Sequence, residues 1–336
     1  MVPESHRITL PKFQFQSGES LPEVQLHCLT WGKPQGQAIL LLHGTNGSAA
    51  VLVTPEWQDT LFGPGQALDL SRYWVIAPDA LGCGRSAKPS DGLKARFPRY
   101  NYRDMVHAQH RLLTEGLGVQ HLRAIIGYSM GGMHTWLWAQ QHPEFMDLAV
   151  PMACMPTPLS GRNWMMRRMV IDAIRQDPEW CNGEYTAPLR SAHFALTYYA
   201  IATSGGTWGL YKSGPDQAKA NAWLDARMAQ APIADANDAL YQYEAARDYD
   251  ASSGLEQISA RVLAINNADD ERNPPELGLM DAAMQRVAQG RAVWVPASPQ
   301  TVGHATLGSP LWWKDERSEE HTSELQSLAY LVCRLL

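Results

Sequence analysis

The 336-residue sequence has no apolar stretch approaching the roughly 20 residues needed to cross a bilayer. It has no basic run and its net charge is −6, so neither nucleic acid nor an anionic membrane surface is an expected partner. Met1 to Leu10 lacks the basic-then-apolar pattern of a cleaved signal. Cysteine is scarce: Cys28, Cys83, Cys154, Cys181 and Cys333 are scattered and form no C-x-x-C pair. That spacing fits neither a disulfide framework nor a zinc site. Buried free thiols in a reducing, cytoplasmic setting are expected, with no metal and no cofactor. Internal repeats and low-complexity linkers are absent too.

What is present is apolar bulk. Hydrophobic residues make up 45% and charged residues 18%, enough to build a sizeable core. The length suits one large α/β domain with an inserted subdomain, or two domains.

Ile8 to Phe15 and Glu23 to Trp31 read as extended segments around a turn at Ser17-Gly18-Glu19-Ser20. Ala38 to Leu42 is a continuous apolar run, the pattern of a parallel strand buried on both faces. Tyr73 to Ala77, Arg123 to Ile126 and Asp147 to Met152 read as further strands, and Tyr102 to Leu117 as a helix. From Pro156 to about Gly254 strands vanish. Helical stretches take over at Asn163 to Ile174, Ser191 to Ala202, Asp216 to Met228 and Asn237 to Tyr249. Strands resume at Arg261 to Ile265 and Arg291 to Val295, joined by a crossover helix over Pro275 to Gln289. Ser309 and Pro310 open a final helix. Alternating strands and helices predict a mainly parallel sheet with helices on both faces. Residues 1–155 and 255–315 form the expected α/β core, and 156–254 an inserted helical cap.

The chemistry points to Gly127-Tyr128-Ser129-Met130-Gly131, a Gly-x-Ser-x-Gly between a strand and a helix-forming run. That context is a nucleophile elbow, with the serine at the tip of a strained turn. A serine hydroxyl is a weak nucleophile at neutral pH, so it needs a base, and the base needs an orienting acid. Both are expected later in the chain, acid before histidine. His304 follows the last strand and is the candidate base. His107, His110, His121 and His142 read as solvated. The acid is Asp270 or Asp269, with Asp270 favoured by its spacing to Pro274-Pro275. The expected oxyanion donors are the Met130 N–H, directly after the nucleophile, and an N–H from the loop after Ala38 to Leu42. Thr45 is the choice there, with Asn46 next, while His43 and Gly44 shape the turn.

Tyr128, Trp164 and Met165 are candidate substrate contacts, with Met166, Tyr198, Tyr199, Trp208 and Tyr211 as further apolar wall material. Core packing of the cap helices explains each one singly as well. Arg162, Arg167 and Arg168 read as solvated helix charges rather than ligands for a substrate carboxylate. At the other end, Arg317 to Ser327 resembles the in-frame translation of a sequencing-adapter oligonucleotide. Residues 316–336 are therefore expected to be foreign to the natural gene, and His321 and Cys333 are given no role. The same stretch carries Leu325, Leu328, Val332 and Leu335 at helical spacing.

Several strings resemble the homoserine O-acetyltransferase-like branch of the α/β-hydrolase superfamily. They are Leu42 to Ser48, Gly63 to Asp69, Tyr102 to Val106, Ser129 to Met133, Ala173 to Trp180, and Asp270 with Pro274-Pro275. The resemblance runs from about Ser17 to Lys314. It implies an α/β-hydrolase fold, a Ser129–Asp270–His304 triad, an acyl-serine intermediate, and a four-helix cap through which such transferases often form dimers. Asp79-Ala80-Leu81-Gly82-Cys83-Gly84-Arg85-Ser86-Ala87-Lys88-Pro89 departs from the transferases and is similar instead to the matching loop of ordinary esterases. Ala305 follows the histidine where the transferases carry an acidic residue. Hydrolysis of a small-molecule carboxylic ester is therefore expected ahead of acyl transfer from acetyl-CoA.

Overall fold

A computed structural model of the chain describes residues 1–230 and 234–314. The segment expected to be foreign, with Cys333, lies outside the described residues.

Eight strands form one sheet: β1 (Glu4–Gln14), β2 (Ser20–Trp31), β3 (Gln37–Leu42), β4 (Tyr73–Pro78), β5 (Leu122–Tyr128), β6 (Met146–Met152), β7 (Arg261–Asn267) and β8 (Gly290–Val295). Their order is β1-β2-β4-β3-β5-β6-β7-β8. β1 and β2 form an antiparallel hairpin, and β2 joins β4 antiparallel. Every other neighbour is parallel. The two-residue period places alternate side chains in separate cores. Ala38, Leu40 and Leu42 of β3 enter one, and Ile39 and Leu41 the other. Each such side chain contributes about 1.5–3 kcal/mol by leaving water.

The helices are α1 (Pro55–Leu61), α2 (Tyr102–Arg111), α3 (Met130–Gln141), α4 (Gly161–Arg175), α5 (Arg190–Ser204), α6 (Thr207–Ser213), α7 (Gln217–Met228), α8 (Ala236–Glu244), α9 (Leu279–Met284) and α10 (Leu311–Lys314). α3 is buried from Met130 through Ala139 and packs on β5 and β6, directly behind the serine. Between β6 and β7 the described residues contain helices and no strand.

Some expectations need correction. The helix expected to run to Tyr249 stops at Glu244, and the Ala245 carbonyl accepts instead from the Tyr102 N–H at the start of α2. The crossover expected over Pro275 to Gln289 is broken. A 3-10 turn over Pro275–Leu277 meets α9 at Gly278, whose φ of +62° is left-handed. α6 was not anticipated. The last described helix starts at Leu311, one residue after Pro310. Cys28, Cys83 and Cys154 are buried, but Cys181 is exposed on a turn where it and Asn182 both have positive φ. His110 and His142 are not freely solvated: their rings stack at 4.0 Å and pack beside Trp138 and Phe145.

Candidate active site

β5 delivers the chain into a turn where Ser129 has φ 54° and ψ −113°. For a non-glycine residue that conformation costs about 1–3 kcal/mol. The turn tolerates no side chain at its flanks. A Cβ on Gly127 would lie 2.1 Å from the Gly131 carbonyl oxygen, and one on Gly131 would lie 2.2 Å from that of Leu42. The Ser129 N–H donates to the Met152 carbonyl of β6, and the Ser129 carbonyl accepts from Met133 in the first turn of α3. The serine is thus pinned between two strands and a buried helix.

His304 lies in a short 3-10 turn beyond β8. Its Nε2 is 2.9 Å from Ser129 Oγ, and its Nδ1 is 2.8 Å from Asp270 Oδ2. Ser129, Asp270 and His304 are all buried. Asp270 accepts further hydrogen bonds from the Arg272 N–H and from Asn273 Nδ2. Asp269 faces elsewhere. It accepts from Asn267 Nδ2, Thr301 Oγ1 and the Gly303 N–H, bracing the loop that carries the histidine. Of the two aspartates, it is Asp270 that meets the imidazole.

Electrostatics favour a neutral imidazole beside an ionised carboxylate. Burial lowers the His304 pKa most, and Arg272 lowers it further against the opposing pull of Asp270. For Asp270, burial pushes upward. His304 and the donated hydrogen bonds outweigh it and hold the carboxyl below its ordinary range.

The loop after β3 reaches the same place. His43 donates from Nδ1 to the Gly44 carbonyl and accepts the Ala80 N–H on Nε2, which fixes the turn. Asn46, at φ +59°, donates its N–H to Gln242 Oε1 and its side-chain amide to the Tyr243 hydroxyl, both on α8. Met130 is the first residue of α3, so its N–H has no carbonyl within the helix to bind.

Two cavities open on Ser129 and His304. One, about 350 Å³, includes Met133, Asn163, Arg162 and Arg272 in its wall. The other, about 240 Å³, includes Thr45, Asn46, Tyr128, Tyr199, Tyr243 and Arg272. The Tyr128 hydroxyl donates to the His304 carbonyl, so this side chain also holds the turn that carries the histidine. Neither wall includes Trp164 or Met165. The period of α4 turns Asn163, Arg167, Val170, Ile171 and Ile174 inward, and leaves Met165 64% exposed. Tyr199 alone of the other wall candidates borders either cavity.

Three residues escaped the sequence reading. Glu271 accepts from the Gly206 N–H at 2.7 Å and from the His304 N–H at 3.4 Å. Arg272 donates to the Thr203 carbonyl at the end of α5 and lies 4.7 Å from the Tyr199 ring centre. Their only signal in the sequence was adjacency to Asp270. Arg167, expected to be solvated, is 1% exposed. Among the described residues, no group of three or more His, Cys, Asp or Glu side chains has the arrangement of a metal site.

A family model described as alpha/beta hydrolase fold matches residues 37–279. A probable acyltransferase of Methanothermobacter thermautotrophicus is 29% identical over 290 residues, covering 84% of this chain and 87% of that protein. The homoserine O-acetyltransferase of Thermobifida fusca is 37% identical over 187 residues, covering 51% of this chain and 49% of the relative. The match thus spans about half the length of that transferase. Among solved structures, esterase E22 superposes with a TM-score of 0.81 at 21% identity, covering 99% of this chain and 100% of that one. The homoserine O-acetyltransferase from Bacillus anthracis gives 0.80 at 21% identity, over 93% and 95%. The structural likenesses extend the shared fold over nearly the whole chain. The chain belongs to the alpha/beta hydrolase fold family.

Proposed function

We propose that the chain is a serine hydrolase of carboxylic esters. The observation that carries the reading is the unbroken hydrogen-bonded run from Ser129 Oγ through His304 to Asp270. Ser129 Oγ attacks the ester carbonyl carbon as its proton passes to His304 Nε2, and the carbonyl electron pair moves onto oxygen. The Thr45 and Met130 N–H groups receive that oxyanion. The intermediate then collapses, the bond to the alcohol oxygen breaks, and the alcohol leaves with the proton. Water deprotonated by His304 releases the acid and restores Ser129. Asp270 keeps the imidazole in one tautomer and stabilises it when charged. Ser129→Ala is expected to abolish turnover of p-nitrophenyl acetate with the circular dichroism unchanged. Full residual turnover would refute the assignment.

Acyl transfer from acetyl-CoA to homoserine is the second reading, favoured by the names of the sequence relatives. The acyl-enzyme is the same and only the acceptor differs. Against it, Asp269, Asp270, Glu271 and Glu276 border the larger cavity, facing only Arg162 and Arg272. That wall suits a neutral ester better than a polyanionic CoA. Release of free CoA that depends on homoserine would reverse the ranking. Two copies are proposed to pair through the cap, where Met165, Phe194 and Tyr211 are each more than 60% exposed.

A further inference from the structure

Arg167 is among the largest fully buried side chains in the fold. Its Nε donates to Asn163 Oδ1, one turn back, and its Nη2 donates to Thr45 Oγ1 at 3.3 Å. Its Nη1 is buried with no partner. The guanidinium sits 5.4 Å from the ring centre of Tyr243 on α8. Tyr102 of α2 and Tyr199 of α5 act on its charge from the other sides, and both hydroxyls are buried. Two other arginines of α4 have carboxylates, Arg168 with Asp172 and Arg175 with Glu244. Arg167 has none among the described residues.

A buried guanidinium without a counter-ion is strongly unfavourable, and an apolar side chain would fill the same space more stably. Packing therefore does not explain it. Its place does. Thr45, Tyr199 and Tyr243 border the smaller cavity with Ser129, and Asn163 borders the larger one. Arg167 itself lines neither, so it is not placed to touch a ligand. What reaches the reacting atoms is its charge and its hold on Thr45.

We propose that Arg167 is a positioning residue: it fixes Thr45 beside Ser129, and its uncompensated charge favours the negative tetrahedral intermediate without touching it. The proposal rests on the reading of Ser129 as nucleophile. As the Oγ–C bond forms, the serine proton goes to His304 Nε2 and the carbonyl pair moves onto oxygen. That oxygen gains a full negative charge beside buried side chains, where a fixed cation acts more strongly than in open water. The same field opposes protonation of His304, adding to burial and to Arg272, against Asp270. The charged or titratable groups around this pair are thus Asp270, Arg272, Tyr128, Tyr102, Tyr199 and Tyr243, with Glu271 on the His304 N–H.

The test compares Arg167→Met and Arg167→Lys in pH profiles of p-nitrophenyl acetate hydrolysis, normalised to folded protein. Arg167→Met is expected to lower kcat by about 10–100-fold, with KM within about threefold, because an electrostatic contribution made in the transition state is lost. The acid limb of its kcat/KM profile moves to higher pH. Arg167→Lys keeps the charge and loses the fork, so its limb stays in place while kcat recovers in part. A purely structural role would reduce the folded fraction and leave the limb where it was. Wild-type kcat and limb in Arg167→Met would overturn the proposal. So would a limb in Arg167→Lys that moves to higher pH, and this variant decides if the methionine protein does not fold. Ser129→Ala separates the two readings. Residual turnover there sinks the nucleophile assignment, whereas an inactive Ser129→Ala beside a fully active Arg167→Met sinks only the inference about Arg167.

Discussion

Replacing Asp270 by asparagine changes one atom, and the structure says how much that atom matters. For Ser129 Oγ to donate to His304 Nε2, that nitrogen must be bare, so the ring proton must sit on Nδ1 and point at Asp270 Oδ2. An asparagine amide inherits two donors that already face the carboxylate, the Arg272 N–H on Oδ1 and Asn273 Nδ2 on Oδ2. If its oxygen stays with the Arg272 N–H, its NH2 faces both Asn273 Nδ2 and His304 Nδ1. The imidazole then avoids a donor–donor contact only by moving its proton to Nε2, where it can no longer accept from serine. The imidazolium also loses its charged partner. The expected fall in kcat is about 10³–10⁴-fold, or about 4–5.5 kcal/mol in the barrier.

Asp269→Asn is the matched control. Asp269 braces Thr301 and Gly303 and does not meet the ring. It is expected to cost about 1–3 kcal/mol of stability and less than about tenfold in kcat per folded molecule. The assay is p-nitrophenyl acetate turnover for both variants, with melting curves to normalise. A profile in which Asp269→Asn is the inactive variant and Asp270→Asn the mild one would refute the reasoning outright.

Two further outcomes follow from the geometry. Burial, and then the neighbouring His110 and His107, lower the His142 pKa to about 4. The folded value lies below the ordinary 6.5, so the unfolded chain binds more protons across that interval. Stability from this site is present above about pH 6.5 and is lost as pH falls toward about 4. After discounting for partial exposure it amounts to about 1–2 kcal/mol. His142→Phe keeps a ring on His110 and should flatten the difference between urea midpoints at pH 7 and pH 5; an unchanged difference would count against the pair. For the proposed dimer, light scattering on the eluting protein should give twice the chain mass, falling to a monomer in Met165→Asp combined with Phe194→Asp. A wild-type monomer at tens of micromolar would rule the dimer out.

The strands were legible because each central one is a short, almost uninterrupted apolar run, and burial on both faces leaves no other solution for β3 and β4. Ser129 was legible because the strained turn demands glycine two residues either side. His304 and the aspartate pair could be read from their places after β8 and β7. Which aspartate meets the ring could not, since one residue along an irregular loop reverses the direction of the side chain. Arg167 was misjudged although its signal was present. Asn163, Arg167, Val170, Ile171 and Ile174 follow the period of a single helical face, so the apolar members mark the arginine as inward. The His110–His142 stack had no such signal, since it joins the end of α2 to the residue after α3, and only the packed tertiary structure brings them together.

The acid loop does more than hold the histidine. Four consecutive charged residues point to four places: Asp269 to the turn at 301–303, Asp270 to the imidazole, Glu271 to the Gly206 N–H, and Arg272 to the carbonyl of Thr203. Arg272 binds the C-terminal end of α5, where the helix carbonyls lack partners and a cation is favoured, and Glu271 binds the N-cap of α6 at Gly206. The junction of α5 and α6 is therefore tied to the 269–272 loop by the two residues that directly follow Asp270. A displacement of α5 would pull on Asp270 and on the N–H of His304 together. α6 and α7 follow and contain no buried residue, yet α6 is tied down at both ends: Glu271 holds its N-cap at Gly206 and Lys212 donates to the Pro299 carbonyl. The exposed Trp208, Tyr211 and Leu224 lie on those same two helices. A second copy packed over these side chains would bury apolar surface on the helix that Glu271 ties to the turn carrying His304, which sets the proposed pairing face beside the candidate site.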